Sequence, residues 1–219
     1  MLPSLLVGLP TETPVATIVG TNKVAQVVGN LTAGVGYLRK QRPDWRMFLW
    51  TAVLAGLGAV LGARIVTYMS RAVYTPILLV VLVIIGIYTL GAGHNGEGGK
   101  HPILVPIIGL FLGCYDGAIG PGVGTFWVLT YVAVGGYSFL KASGMAKICN
   151  AVTNLVTITT LAIHGHVWWH IAWPLVISNV LGGLIGARTA MKHGNGFVRT
   201  MFLIVTSVLA VRMLVQLIW

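Results

Sequence analysis

Two lysines stand inside long apolar stretches of this chain, and their surroundings match. Lys23 is followed by Gln26 and Asn30, and Lys147 by Asn150 and Asn154. Intervals of three and four residues place each trio on one face of a helix. An ammonium with carboxamides offers hydrogen-bond donors and little acceptor charge, which is the chemistry for holding a small oxyanion. Asn22, Thr21 and Thr125 add further donors near these faces. The competing reading is that each lysine, about seven to nine residues into its segment, snorkels to a membrane interface.

A third charge lies in similar surroundings. Asp116 is the acid set in apolar text, and it adjoins Gly117-Ala118-Ile119-Gly120-Pro121-Gly122-Val123-Gly124-Thr125. Three roles are open to it: a structural ion pair with Lys147, which ranks first because intramembrane acids usually have a partner; proton acceptance for coupling; or a helix cap. The glycines and Pro121 predict an interrupted helix, since proline lacks a backbone donor and glycine carries an entropic cost. Such a break in hydrocarbon must be buried in protein or line a wet cavity. The following half-helix would then aim free N–H groups and its positive end at the cavity, making Gly120, Gly122, Gly124 and Thr125 candidates for an anion cradle. A loop or a tight helix-packing site is the plainer alternative.

The elements that carry these residues repeat. Gly58-Ala59-Val60-Leu61-Gly62-Ala63-Arg64 returns as Gly182-Gly183-Leu184-Ile185-Gly186-Ala187-Arg188, 124 positions later, and the same offset lays Lys23 over Lys147 and Asn30 over Asn154. The small residues suit close helix contact, with Arg64 and Arg188 as interfacial anchors. Apolar segments are expected at about 14–38, 47–69, 73–90, 102–113, 125–134, 139–163, 168–191 and 197–219. This predicts an all-α polytopic membrane protein of about seven transmembrane segments in two related halves, with an interrupted helix near Gly120 to Gly124. Residues 1–92 form the first repeat, 93–101 a polar linker and 102–219 the second repeat. The first half is expected to lack the N-terminal broken helix that the second half contains, as in a truncated member or a start placed internally.

Composition agrees. The 219 residues are 56% hydrophobic and 8% charged, with a mean hydropathy of +0.88, too few charges to coat a water-soluble domain. The formal charge of +10 is placed in short loops, Arg39, Lys40, Arg42 and Arg46 above all, as orientation signals are. No basic surface domain is left for nucleic acid. Trp45, Trp50, Trp168, Trp169 and Trp173 fall near segment ends, where interfacial aromatics sit. Cys114 and Cys149 read as packing residues, and the start is not expected to be a cleavable signal. His164, His166 and His170 invite a metal reading, but without nearby Cys, Asp or Glu they fit an interfacial loop better. No cofactor or resident metal is expected, and no catalytic set is visible.

The run Gly113-Cys114-Tyr115-Asp116-Gly117-Ala118-Ile119-Gly120-Pro121-Gly122-Val123-Gly124-Thr125-Phe126, with Lys147, Asn150 and Asn154 downstream and Gly186-Ala187-Arg188 before Lys192-His193-Gly194, resembles the TauE/SafE family of sulfite exporter-like permeases. The resemblance spans nearly the whole chain, with Thr21-Asn22-Lys23 a weaker match. It implies a secondary transporter in a bacterial inner membrane, exporting sulfite, sulfonate or related organic anions and not acting as an enzyme. The partners it implies are a small anion and the lipid bilayer, and homo-oligomers stay open. Two alternatives are a non-transporting truncated subunit and a histidine-based metal-handling protein or intramembrane enzyme.

Overall fold

The computed structural model describes residues 12–38, 42–91, 101–181 and 204. Within them the chain is helical, with no strand: α1 Val15–Leu38, α2 Trp45–Thr67, α3 Arg71–Gly91, α4 Leu104–Ala118, α5 Val123–Leu129 continued by a π-helical turn Thr130–Val134, α6 Phe139–Ile163 and α7 Trp169–Leu181. α2 and α6 are each long and apolar enough to cross a bilayer.

The packing of α2 is inside out relative to a soluble helix. Leu49, Val53, Leu57, Leu61 and Ile65 repeat every four residues along its exposed face, whereas Ala52, Ala55, Ala59 and Ala63 are buried. Large apolar side chains facing outward and small ones facing the neighbour are what lipid, unlike water, favours. The buried stripe lies on α4. A Cβ added at Gly58 or Gly62 would overlap the carbonyls of Leu110 and Cys114, and one at Gly113 or Gly117 would overlap those of Ala55 and Ala59. Glycine here brings two backbones together.

That packing moves the start of the helix break. The glycine-rich text predicts an end near Gly113, but α4 continues through Cys114 to Ala118, because Gly113 and Gly117 serve the α2 contact and remain helical. The interruption proper is Ile119 to Gly122. Gly120 and Gly122 have φ of 89° and 76°, left-handed values that a side chain resists. The expected resumption at Thr125 begins two residues earlier, at Val123.

α1 and α6 form the other large interface and run antiparallel. The N-terminal end of α1 meets the turn after α6, where a Cβ at Gly20 would strike the His166 carbonyl, and its far end meets the start of α6, with Gly34 against Ile148. Adding the offset of 124 to Val15 and Trp45, the first residues of α1 and α2, gives 139 and 169, the first residues of α6 and α7. Trp45 and Trp169 are both exposed at those starts. At the head of α2, the Asp44 carboxylate caps the Met47 amide at 3.2 Å and accepts from the Tyr137 hydroxyl at 2.9 Å. The expected linker apart from His101, the second Gly-Ala-Arg repeat, the last segment apart from Ile204 and the start of the first half lie outside the described residues.

Candidate functional site

The antiparallel α1/α6 pair brings polar side chains from both helices into the interior. Lys23 and Asn22 on α1 and Asn150, Thr153 and Asn154 on α6 are buried, and α4 adds the fully buried Asp116. Lys23 lies about 12 Å along α1 from its first residue, and its side chain is 1% exposed, so it does not snorkel. Nζ of Lys23 donates to Oδ1 of Asp116, and the Thr153 hydroxyl donates to Oδ2. Both carboxylate oxygens are therefore engaged, which an acid withdrawn from water requires.

The expected partnership of Asp116 with Lys147 is corrected by this geometry. The ion pair is with Lys23, because antiparallel packing sets the first half of α1 level with the end of α4 and the middle of α6. Lys147 reaches instead across to α1, where its Nζ stands 3.5 Å from Asn30 Oδ1, a long hydrogen bond. It makes no ion pair among the described residues. The two lysines match in sequence but differ in electrostatics: one is neutralised, and the other is met, among the described residues, by an amide.

The amides differ as well. Asn154 donates to Asn150 Oδ1 at 3.0 Å, while the buried oxygens Asn22 Oδ1 and Asn154 Oδ1 have no donor among the described residues. Buried polar atoms are satisfied in the great majority of cases, so this interior is polar beyond what packing uses. Gln26 is partly buried on α1.

The break borders the same interior. Gly120 is so close to the ion pair that an added Cβ would lie 3.1 Å from Lys23 Nζ and 3.4 Å from Asp116 Oδ1. Gly122 caps α5 in the left-handed conformation, and a Cβ at Gly124 would lie 3.8 Å from Asn150 Nδ2. Thr125, on the next position, is exposed, and the Lys147 ammonium has no described contact with the break. Two carbonyls of the break accept from tyrosines: Pro121 O from Tyr115, and Ile119 O from the fully buried Tyr74 at 3.3 Å. Those bonds satisfy backbone groups that the interrupted ladder leaves open. Tyr74, Tyr115 and Thr153 were not singled out from the sequence. Tyr115 had a signal, since it adjoins Asp116 in the glycine-rich run, while Thr153 sits one residue from the Lys147, Asn150, Asn154 stripe.

The three histidines make local contacts. His166 Nδ1 bonds the Thr17 hydroxyl at 3.2 Å, His164 Nδ1 donates to the Thr160 carbonyl at 2.7 Å, and His170 stacks on Trp168. No cluster of three potential metal-binding His, Cys, Asp or Glu side chains occurs among the described residues. Cys149 is buried with its Sγ 3.1 Å from the Tyr131 hydroxyl.

Residues 1–213 match the family described as Sulfite exporter TauE/SafE. Among curated proteins, the chain is 30% identical over 217 residues to a "Probable membrane transporter protein" of Haemophilus influenzae, an alignment that takes in 97% of this chain and 84% of the relative. It is also 30% identical to "Probable membrane transporter protein ORF9" of a Sinorhizobium species, over 97% of this chain and 82% of that one. Against "Probable membrane transporter protein YfcA" of Escherichia coli K12 the identity is 27%, over 91% and 76%. No solved structure is similar enough to count as a match.

Proposed function

From the premise that the chain belongs to the sulfite exporter TauE/SafE family, and so to membrane transporters rather than enzymes, we propose that it is a secondary transporter of small anions. Sulfite, sulfonates and related organic anions are the substrates, and export is the direction. The relatives are bacterial, which supports placement in a bacterial inner membrane.

The observation that carries this reading is the amide-rich, cationic interior between α1 and α6, set beside the broken helix. Lys147 supplies charge, Asn150 and Asn154 with Asn22 and Gln26 orient the anion by hydrogen bonds, and Lys23 holds the Asp116 end of α4 in place. Gly120, Gly122, Gly124 and Thr125 shape the break and let backbone approach the substrate. Ammonium and amide N–H groups favour oxyanions and repel cations. The antiparallel packing of α1 on α6, helices related by the sequence repeat, is the relation expected of inverted halves, with the site at their interface. In that arrangement residues 1–92 and 102–219 are the two halves, 93–101 joins them, and transport is a rocking of one against the other.

Reconstitution tests it: purified protein in liposomes loaded with sulfite or a sulfonate should release the anion faster than protein-free liposomes, and release should be greater from the cytoplasmic to the outer side. Equal leakage from both kinds of liposome refutes the reading.

A further inference from the structure

We propose that the site is built for a singly charged oxyanion, with Lys147 as its free counter-charge among the described residues, and that the equivalent Lys23 is withdrawn from substrate by Asp116. This rests on the transporter reading and narrows its substrate class. The argument is a charge count over the described interior. Asp116 accepts from Lys23 on one oxygen and from Thr153 on the other, so Lys23 and Asp116 together contribute no net charge. The other described acids are at the periphery: Glu12 is exposed ahead of α1, and Asp44 caps α2 and accepts from Tyr137. Arg64 is exposed in the last turn of α2. Lys147, with only the long contact to Asn30 Oδ1, is the one interior cation without an acidic partner among the described residues.

An anion of charge minus one brought to Lys147 leaves a neutral, hydrogen-bonded interior. A dianion of the same size leaves one negative charge uncompensated in a low-dielectric setting, where isolated charges are most costly. Discrimination therefore follows ligand charge more than ligand shape. The amides beside Lys147 hydrogen-bond either form and do not choose between them. Loss of the Asp116 charge would release Lys23 as a second cation and shift the preference toward dianions.

Methanesulfonate and sulfate separate the two variables, being tetrahedral oxyanions of similar size with one and two charges near neutral pH. Binding of each to purified full-length protein in detergent is measured calorimetrically, for the native sequence and for Lys147→Gln and Asp116→Asn. The native protein should bind methanesulfonate at least about tenfold more tightly than sulfate. Lys147→Gln should weaken methanesulfonate by at least about tenfold, the size of one charge-assisted hydrogen bond, and Asp116→Asn should narrow or invert the preference. Sulfate binding as tight as methanesulfonate, or methanesulfonate binding unchanged in Lys147→Gln, overturns the inference while leaving a transporter. If Asp116→Asn does not fold, the native protein and Lys147→Gln decide by themselves. Native protein that binds neither anion, and that also fails to move anions in liposomes, is the failure of the transporter reading, and the inference falls with it.

Discussion

The Lys23–Asp116 pair should show strong energetic coupling between α1 and α4. Both side chains are almost without solvent contact, at 1% and 0% exposure. Replacing one partner by an uncharged residue leaves the other as a buried, uncompensated charge, which costs about 3–5 kcal/mol. Lys23→Met and Asp116→Leu should each destabilise by that amount. The double variant leaves neither charge unpaired, so it should cost at least about 3 kcal/mol less than the sum of the single changes. Thr153→Val, which removes the hydroxyl that serves the second carboxylate oxygen and also lies 3.0 Å from the Asn150 carbonyl, should cost about 1.5–3 kcal/mol. The assay is reversible unfolding in mixed detergent micelles titrated with a denaturing detergent, followed by helicity. If the single costs add in the double variant, the two groups do not interact and the account of how the broken helix is anchored is wrong.

Three further outcomes are expected. Tyr115→Phe strips the Pro121 carbonyl of its donor and should destabilise by about 1–3 kcal/mol in the same unfolding assay, whereas Tyr68→Phe, on a residue that is 90% exposed, should have no measurable effect. Gly113→Val forces a side chain into the Ala55 backbone; it should separate α2 from α4, cost about 1–3 kcal/mol or more, and lower the yield of folded protein, while Gly165→Ala, in the open turn after α6 at φ 74°, should be milder. The Asp44 carboxyl is held below its ordinary value by the Met47 amide and then the Tyr137 hydroxyl, and burial with the neighbouring carboxylate pushes Tyr137 up to about 12. A depressed folded-state value means that the stabilisation is complete above the ordinary carboxylate value of about 4 and is lost as pH falls through the folded value. Melting of the native protein should therefore soften below about pH 4 in a manner that Asp44→Asn reduces.

The helices were legible because each is marked by its own apolar run. The segment expected at 139–163 is α6 to the residue, and the 124-residue offset places the starts of α6 and α7. The two lysine stripes were legible for the same reason, since spacings of three and four depend only on local helix geometry. Local geometry stops there: which lysine meets Asp116 depends on the level at which antiparallel α1 and α6 pack, a relation between distant segments that one sequence does not encode visibly. Glycine was ambiguous in a similar way. Gly120 and Gly122 break the helix and Gly113 and Gly117 do not, and the distinction is the presence of the Ala55 and Ala59 backbones across the interface. Tyr74 was hidden because its partner, Ile119 O, is a backbone group 45 residues away.

The most direct measurement is the rate at which sealed proteoliposomes containing Lys147→Ala release sulfite or methanesulfonate, compared with the native protein at equal amounts of folded, inserted material. The interior anion site predicts a drop of at least about tenfold with helicity and unfolding midpoint nearly unchanged. Release at the native rate would show that anions cross without this ammonium and would contradict a site centred on the α1/α6 interface.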